Sequence, residues 1–295
     1  MQQTTTRTST IKPRVSTLPC SRSSVLLSCF CSSALLLFCA CFNIPSFPDQ
    51  KEVKDLRILA IKADPPLVAP GGGTELAAFV VDQEGPVTGA AHRWWWCGRI
   101  SGSEGSAGCD PEDDGAEVFG TADRVPYTTP EEVLDKDNVV VERYGFRDVV
   151  NLEVARGNEQ VRSFKRLQIQ RGTENRNPII TGIIIEGAST QGGAFVVAPD
   201  RKYPVYPVTS GGRETFTVKD FVGATVPLAE IYEYSWYATG GKLSDSVTVE
   251  TRRTATHWET PEAAPADGKP LWIYTVVYDG RGGTDWWAQK VYVEE

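Results

Sequence analysis

Histidine is almost absent from this chain of 295 residues, which contains only His92 and His257. A Ser-His-Asp arrangement would have to use one of these two, and neither lies in a nucleophile turn of the type Gly-x-Ser-x-Gly. The sequence shows no nucleophile, base and orienting group that could act together. It therefore favours a protein that is not an enzyme and has no cofactor. Paired carboxylates of the glycosidase kind are the one enzymatic alternative that it leaves open.

Helical periodicity is also scarce, and only residues 130–136 have the pattern of a short helical turn. Short segments with alternating apolar and polar residues take its place, separated by turns that draw on 27 glycines and 19 prolines. Alternation of this kind is typical of strands with one face buried. The sequence therefore predicts an all-β protein made of antiparallel sheets.

Acidic residues are missing from the first 48 positions. Four basic residues stand near the N-terminus, and an uncharged, mostly apolar stretch then lasts until Asp49; the basic residues are Arg7, Lys12, Arg14 and Arg22. A basic segment followed by an apolar one is the layout of an export signal. An uncleaved signal anchor is the alternative, because the uncharged window is long enough for the roughly 20 residues of a spanning helix.

The end of this stretch, Ala40-Cys41, resembles the lipobox at which bacterial lipoprotein precursors are cleaved. That resemblance implies a signal peptide over residues 1–40 and a palmitate-type lipid anchor on Cys41. Phe38 and Cys39 depart from the usual lipobox residues. By the same analogy, Phe42 in place of an aspartate implies the outer membrane, with the rest of the chain facing the periplasm or the surface.

The charge of the remaining 255 residues limits the choice of partners. Because every charge before Cys41 is basic, 26 basic residues face 38 acidic ones, a net charge of about −12. Nucleic acids and anionic lipid surfaces attract clustered lysine and arginine. We therefore expect no nucleic-acid partner, and contact with the membrane through the lipid anchor alone.

Cysteine is rare beyond the leader, where only Cys97 and Cys109 remain. Two thiols in an exported chain, separated by a Gly- and Ser-rich run, favour a disulfide bond with each other. Closing a loop of this size stabilises a chain by about 3 kcal/mol in the chain-entropy estimate. A metal pair is the weaker alternative, because no further Cys or His lies at ligand spacing.

The mature chain divides into two similar halves. Residues 41–54 read as a polar tether, residues 55–170 as the first domain, residues 171–178 as a polar linker and residues 179–295 as the second domain. Residues 150–170 and 273–294 align as strand, Gly-containing turn and strand, at a spacing of about one domain.

Each half has a tryptophan on its third predicted strand, Trp94–Trp96 in the first and Trp236 in the second. Tyr-Ser-Trp-Tyr-Ala at 234–238 and the segment 273–282 resemble tandem immunoglobulin-like modules, of the PKD-like kind, in bacterial surface and periplasmic lipoproteins. The resemblance implies two antiparallel immunoglobulin-like sandwiches. It implies nothing about partners, and the cysteine pair that bridges the sheets of antibody domains is missing.

Adjacent tryptophans on a strand must point to opposite faces of the sheet. Within Trp94–Trp96 and within the pair Trp286 and Trp287, one member therefore points away from its own core. Trp95, Trp286 and Trp287 are the candidate partner-binding residues, since exposed aromatic side chains stack on sugars or anchor protein partners. Contact between the two domains, or cover from the long loops, is the alternative.

An acidic loop is the one candidate metal site. Asp110, Glu112 and Asp114 stand at positions 1, 3 and 5 of an EF-hand-type calcium pattern, followed by a glycine. The pattern then fails, because position 12 is Thr121, although Glu117 offers a substitute ligand. A solvated acidic loop is the preferred interpretation.

These observations favour a membrane-anchored extracytoplasmic lipoprotein that works as a binding or adhesion module. Its expected partner is an envelope polysaccharide or an envelope protein. The alternative is a structural scaffold subunit of an envelope complex, in which the off-core tryptophans would lie between the two domains.

Overall fold

A computed structural model describes residues 50–97, 109–113, 115–131, 146–171, 174–219, 223–252 and 254–294. By its internal contacts the chain divides into Met1–Phe47 and one compact unit, Pro48–Glu295, which holds all the described residues. The leader, Cys41 and residues 138–144, whose sequence pattern also predicts a strand, lie outside them. None of the described segments forms a helix long and apolar enough to cross a lipid bilayer.

The described residues form 21 strands. The first half contains β1 (Arg57–Asp64), β2 (Leu67–Val68), β3 (Gly73–Asp82), β4 (Gly85–Pro86), β5 (Ala91–Cys97), β6 (Ala116–Gly120), β7 (Arg124–Thr128), β8 (Phe146–Arg156) and β9 (Glu159–Ile169). The second half contains β10 (Ile179–Ile185), β11 (Ser189–Gln191), β12 (Ala194–Val197), β13 (Lys202–Ser210), β14 (Thr215–Lys219), β15 (Thr225–Ala229), β16 (Glu233–Ala238), β17 (Lys242–Leu243), β18 (Val247–Val249), β19 (Thr256–Glu259), β20 (Leu271–Tyr278) and β21 (Thr284–Val293).

Each half has two facing sheets. In the first half, sheet I contains β1, β3, β4 and β7, and sheet II has the order β2-β9-β8-β5-β6. In the second half, sheet III has the order β11-β12-β21-β20-β16-β18, and sheet IV has the order β10-β13-β19-β17. Strands β14 and β15 form a separate two-stranded ribbon. The all-β prediction is confirmed.

A core lies between the two sheets of each half, and a tryptophan is fully buried in each. Trp94 on β5 packs with Leu76 and Leu152 between sheets I and II. Trp236 on β16 packs with Trp258 and Ile273 between sheets III and IV. The corresponding third-strand tryptophans of the two halves therefore have the same structural role.

A third core, the interface core, joins the two halves. Sheet I contributes Phe79 and Val81, and sheet III contributes Tyr274 and Val276. Sheet III is therefore covered on both faces, which explains why β20 reads as the nearly continuous apolar run Leu-Trp-Ile-Tyr-Thr-Val-Val-Tyr. The chain is two sandwiches with a shared, buried contact between them.

The segment just before β1 belongs to this contact. Val53 is fully buried in the interface core, and its amide donates to the carbonyl of Ala238 at 2.9 Å. Lys51 donates from Nζ to the carbonyl of Leu243 at 3.1 Å. Residues 50–54 of the predicted tether are thus held by the second half, because Val53 in their polar sequence is buried there. Residues 41–49 lie outside the described residues.

The predicted linker is anchored by polar contacts with the turn between β20 and β21. Asn175 Nδ2 donates to Asp279 Oδ2 at 2.9 Å, and Asn177 Oδ1 accepts from the amide of Thr284 at 2.9 Å. Lys165 on β9 donates from Nζ to the carbonyl of Gly282 at 2.7 Å. Burial lowers the pKa of Lys165 to about 8. The polar residues of the predicted linker therefore make fixed contacts between the two halves.

Strand β13 has no counterpart among the predicted strands, because Pro204 and Pro207 interrupt its pattern. Proline lacks a backbone donor and is usually confined to places where none is needed. Pro204 lies where β13 pairs with β19, and Pro207 lies where it pairs with β10. The carbonyl of Pro204 accepts from Glu186 on the side away from β19. The N–H and C=O of one strand residue point to the same side, so the missing donor of Pro204 also lies away from β19.

Candidate binding site

An open groove of about 570 Å³ lies at the edge of sheet III. Strand β12 pairs with β21 only over Val291 to Val293, so the preceding residues of β21 lie at a sheet edge that β12 leaves uncovered. The groove surrounds this edge and reaches side chains of both faces of the sheet. Its lining includes Trp272, Trp287, Gln289, Lys290, Tyr292 and Glu294.

Trp287 and Gln289 form the fixed wall of the groove. Trp287 packs against the core between sheets III and IV, and its Nε1 donates to Gln289 Oε1 at 3.2 Å. Gln289 Nε2 donates to the carbonyl of Gly193 at 3.0 Å and to that of Lys290 at 3.1 Å. Gly193 adopts a φ of 81°, which disfavours residues with a Cβ. The half-buried indole is therefore held in one orientation.

Trp272 and Lys290 form the opposite wall. The Lys290 ammonium lies 5.3 Å from the centroid of the Trp272 ring, a cation–π distance. Trp272 Nε1 donates to the carbonyl of Glu84 at 2.9 Å, so this indole also links the two halves. A Cβ on Gly85 would lie 2.7 Å from the ring, which explains the glycine at that position.

The three candidate tryptophans have different environments. Trp286 packs against the interface core, and its ring stacks on Phe79 with centroids 5.2 Å apart and an interplanar angle of 2°. Trp287 faces the other side and reaches the groove. The opposite orientation of the two neighbours follows the strand alternation predicted for them, and one of them lies in the contact between the domains.

Trp95 points away from the core of the first half, as its position between Trp94 and Trp96 requires, yet only 2% of its surface is exposed. Its Nε1 donates to the carbonyl of Cys109 at 3.2 Å, and the Arg162 guanidinium lies 5.8 Å from its ring. The predicted disulfide between Cys97 and Cys109 is confirmed. The exposure on which a binding role for Trp95 depends is not present, and the Cys109 carbonyl and the Arg162 guanidinium lie against it.

The acidic loop uses its carboxylates in ion pairs. Asp110 Oδ1 lies 2.9 Å from Arg162 Nη1, and Glu112 pairs with Arg93. Asp114 lies outside the described residues. Across the part of the chain that the structure describes, no group of three or more His, Cys, Asp or Glu is placed to hold a metal ion.

Sequence reasoning missed Trp272 as a groove residue. The run of residues 270–279 predicts a strand, but a run that is apolar on both faces hides which side chains reach the surface. The available signal was that run itself, since an antiparallel strand without alternation indicates burial on both faces.

The strand order defines the class of the protein. Each half has two antiparallel sheets packed face to face, a tryptophan buried on a central strand, and a terminal hairpin whose last strand pairs with a short parallel strand. These are features of immunoglobulin-like sandwiches, and the chain contains two of them in tandem.

Comparison with known proteins gives similarities to solved structures only, since no protein-family model and no curated protein matches the chain. The D0-D1 domain of intimin is 10% identical over 80% of this chain and 99% of that chain, with a TM-score of 0.22. The N-terminal Ig1-2 module of the Drosophila receptor protein tyrosine phosphatase DLAR is 14% identical over 82% of this chain and 100% of that chain, with a TM-score of 0.25. At these TM-scores the fold class rests on the strand order of the four sheets.

Proposed function

We propose that the chain is a membrane-anchored, extracytoplasmic binding module that holds an envelope polysaccharide in the groove around Trp287. The observation that carries the proposal is an open groove with two oriented indoles, Trp272 and Trp287, on its walls. The hydrophobic faces of sugar rings pack on aromatic rings, and their hydroxyls need donors and acceptors placed beside them. Lys290 and Glu294 supply such groups.

Attachment through Cys41 to the outer membrane is part of the proposal. It is supported by the basic segment, the apolar stretch and the Ala40-Cys41 sequence of the leader. Binding without hydrolysis is supported by the groove itself, where Glu294 is the one carboxylate among the lining residues that the structure describes. A glycosidase needs two carboxyl groups on either side of the scissile bond.

The groove predicts a specific loss of binding. Trp287→Ala should weaken retention on peptidoglycan, capsule or outer-membrane polysaccharide about fivefold or more, because one aromatic stacking contact is worth about 1 kcal/mol beyond its buried area. Retention is measured by affinity electrophoresis in gels that contain each polysaccharide. Lys290→Ala should also weaken retention, and this substitution changes no core residue. Tyr206→Ala, on the outer face of sheet IV, is the control that should leave retention unchanged.

A scaffold function is the second candidate, and the interface core favours it. Trp286 and Tyr274 are used to join the two halves, which suits a rigid spacer between envelope components. If the unsubstituted chain is retained by none of the polysaccharides, the proposed binding function is wrong. Isolation of a stable complex with an envelope protein would then support the scaffold.

A further inference from the structure

The outer face of sheet II carries four arginines although the protein as a whole is acidic, with a net charge of −8. Val150 and Leu152 of β8 line the core, so the residues that alternate with them point outward. The strand register places Arg93, Arg147, Arg162 and Arg166 on this outward face. Glu153 is the one carboxylate among the outward residues of β5, β8 and β9.

Two of the four arginines already bind carboxylates of the chain itself. Arg162 contacts Asp110 at 2.9 Å, and Arg93 pairs with Glu112. Both carboxylates belong to one turn, closed by the hydrogen bond from the amide of Asp113 to the carbonyl of Asp110 at 3.0 Å. This acidic turn lies on the sheet beside Trp95 and shows that the face accepts an acidic peptide.

The other two arginines are exposed and have no carboxylate partner among the described residues. Arg147 pairs with Gln168 and Arg166 with Val149 across the same two strands, so the two guanidinium groups are diagonal neighbours on one face. Between them and the acidic turn lies Phe164, which is 40% exposed. The Arg166 guanidinium lies 5.1 Å from the centroid of its ring.

We propose that Arg147, Arg166 and Phe164 form a docking surface for an acidic peptide segment of a partner protein, next to the acidic turn that occupies Arg93 and Arg162. Guanidinium groups bind carboxylates in a directed, often bidentate manner. A peptide suits the surface better than a polysaccharide, because the acidic turn already bound at Arg93 and Arg162 is itself a peptide segment. This surface lies on the first sandwich and is independent of the groove on the second.

Charge reversal tests the surface directly. The full chain is titrated with fluorescently labelled poly-L-glutamate at low ionic strength, followed by fluorescence anisotropy. The double substitution Arg147→Glu with Arg166→Glu should weaken binding about tenfold or more, because it replaces two attractive contacts by repulsion. Arg201→Glu with Arg252→Glu makes the same change in net charge on exposed residues of the second half and should weaken binding far less.

Three results would overturn the proposal. The first is no measurable binding of poly-L-glutamate by the unsubstituted chain. The second is an equal loss of affinity in the two double variants, which would indicate a general charge effect. The third is tighter binding of polygalacturonate than of poly-L-glutamate, which would make the face a site for anionic polysaccharide. A folding defect is excluded by circular dichroism and by equal urea midpoints of the variants.

Discussion

Replacing Val276 by aspartate is expected to split the cooperative unfolding of the compact unit into two transitions. Val276 is fully buried in the interface core, where an aspartate would lack any partner for its charge. Burying an unpaired carboxylate costs several kcal/mol, about 3 to 5 in mutational data. This cost acts on the contact between the halves, so each sandwich should then unfold separately. Urea unfolding, followed by both tryptophan fluorescence and far-UV circular dichroism, measures the effect.

Val118 supplies the matched control, since it is a strand valine that is 46% exposed. Val118→Asp should leave one transition with a midpoint close to that of the unsubstituted chain. If Val276→Asp also unfolds in one transition at an unchanged midpoint, the interface core does not couple the two sandwiches. The two halves would then not form one cooperative unit.

Removing the carboxylate of Asp148 should destabilise the first sandwich by about 3 to 5 kcal/mol. Asp148 is 4% exposed and accepts three hydrogen bonds: from Trp96 Nε1 at 2.8 Å, from Tyr127 Oη at 2.7 Å and from the amide of Val149 at 2.9 Å. Asp148→Ala leaves all three donors without this acceptor inside the protein. Urea unfolding measures the loss as a change in the free energy of unfolding.

Two further variants separate the hydrogen bonds from the loss of volume. Asp148→Asn keeps the shape of the side chain and one acceptor, so its free energy of unfolding should lie between those of the parent and Asp148→Ala. Asp123→Ala, at an exposed position, should stay within about 0.5 kcal/mol of the parent. Burial and the charge of Asp148 also raise the pKa of Tyr127 above its ordinary value. A loss of less than about 1 kcal/mol in Asp148→Ala would mean that water replaces the carboxylate easily.

The sequence supports those parts of the fold that depend on local pattern. Strand alternation predicts β3, β5 and β21 closely, and the Trp on the third strand of each half marks a buried position. The cysteine pair could be predicted because no other thiol remained beyond the leader. Strand β13 could not, because the place of its two prolines depends on which neighbours pair with each side of the strand, and that depends on the whole of sheet IV.

The candidate site depends on contacts between residues far apart in the chain, so the sequence predicts less of it. Trp286 and Trp287 are indistinguishable in sequence, and only the position of sheet I against sheet III decides that Trp286 is enclosed. Trp95 points outward as predicted, but it is buried, with the Cys109 carbonyl and the Arg162 guanidinium against it. The groove exists because β12 stops short of the first part of β21, and no residue pattern states where a pairing partner ends.

The two proposed surfaces lie on different sandwiches and suit different partners. The groove at Trp287 on the second suits a neutral or mixed polysaccharide, and the arginines on the outer face of the first suit an acidic peptide. A single unit that carries both, fixed at its N-terminal side by Val53, could hold a partner protein close to an envelope polymer. Membrane attachment at Cys41 would keep both close to the lipid surface.

The central claim is that this two-sandwich unit is presented from a membrane by a lipid on Cys41. Mass spectrometry of the N-terminal peptide of the chain, purified from a bacterial membrane fraction, tests it most directly. We expect a peptide that begins at Cys41 and carries acyl chains, with a Cys41→Ser variant losing both the cleavage and the acyl mass. An unmodified peptide from residues 1–40 still joined to Cys41, or a chain recovered from the soluble cytosolic fraction, would contradict the claim.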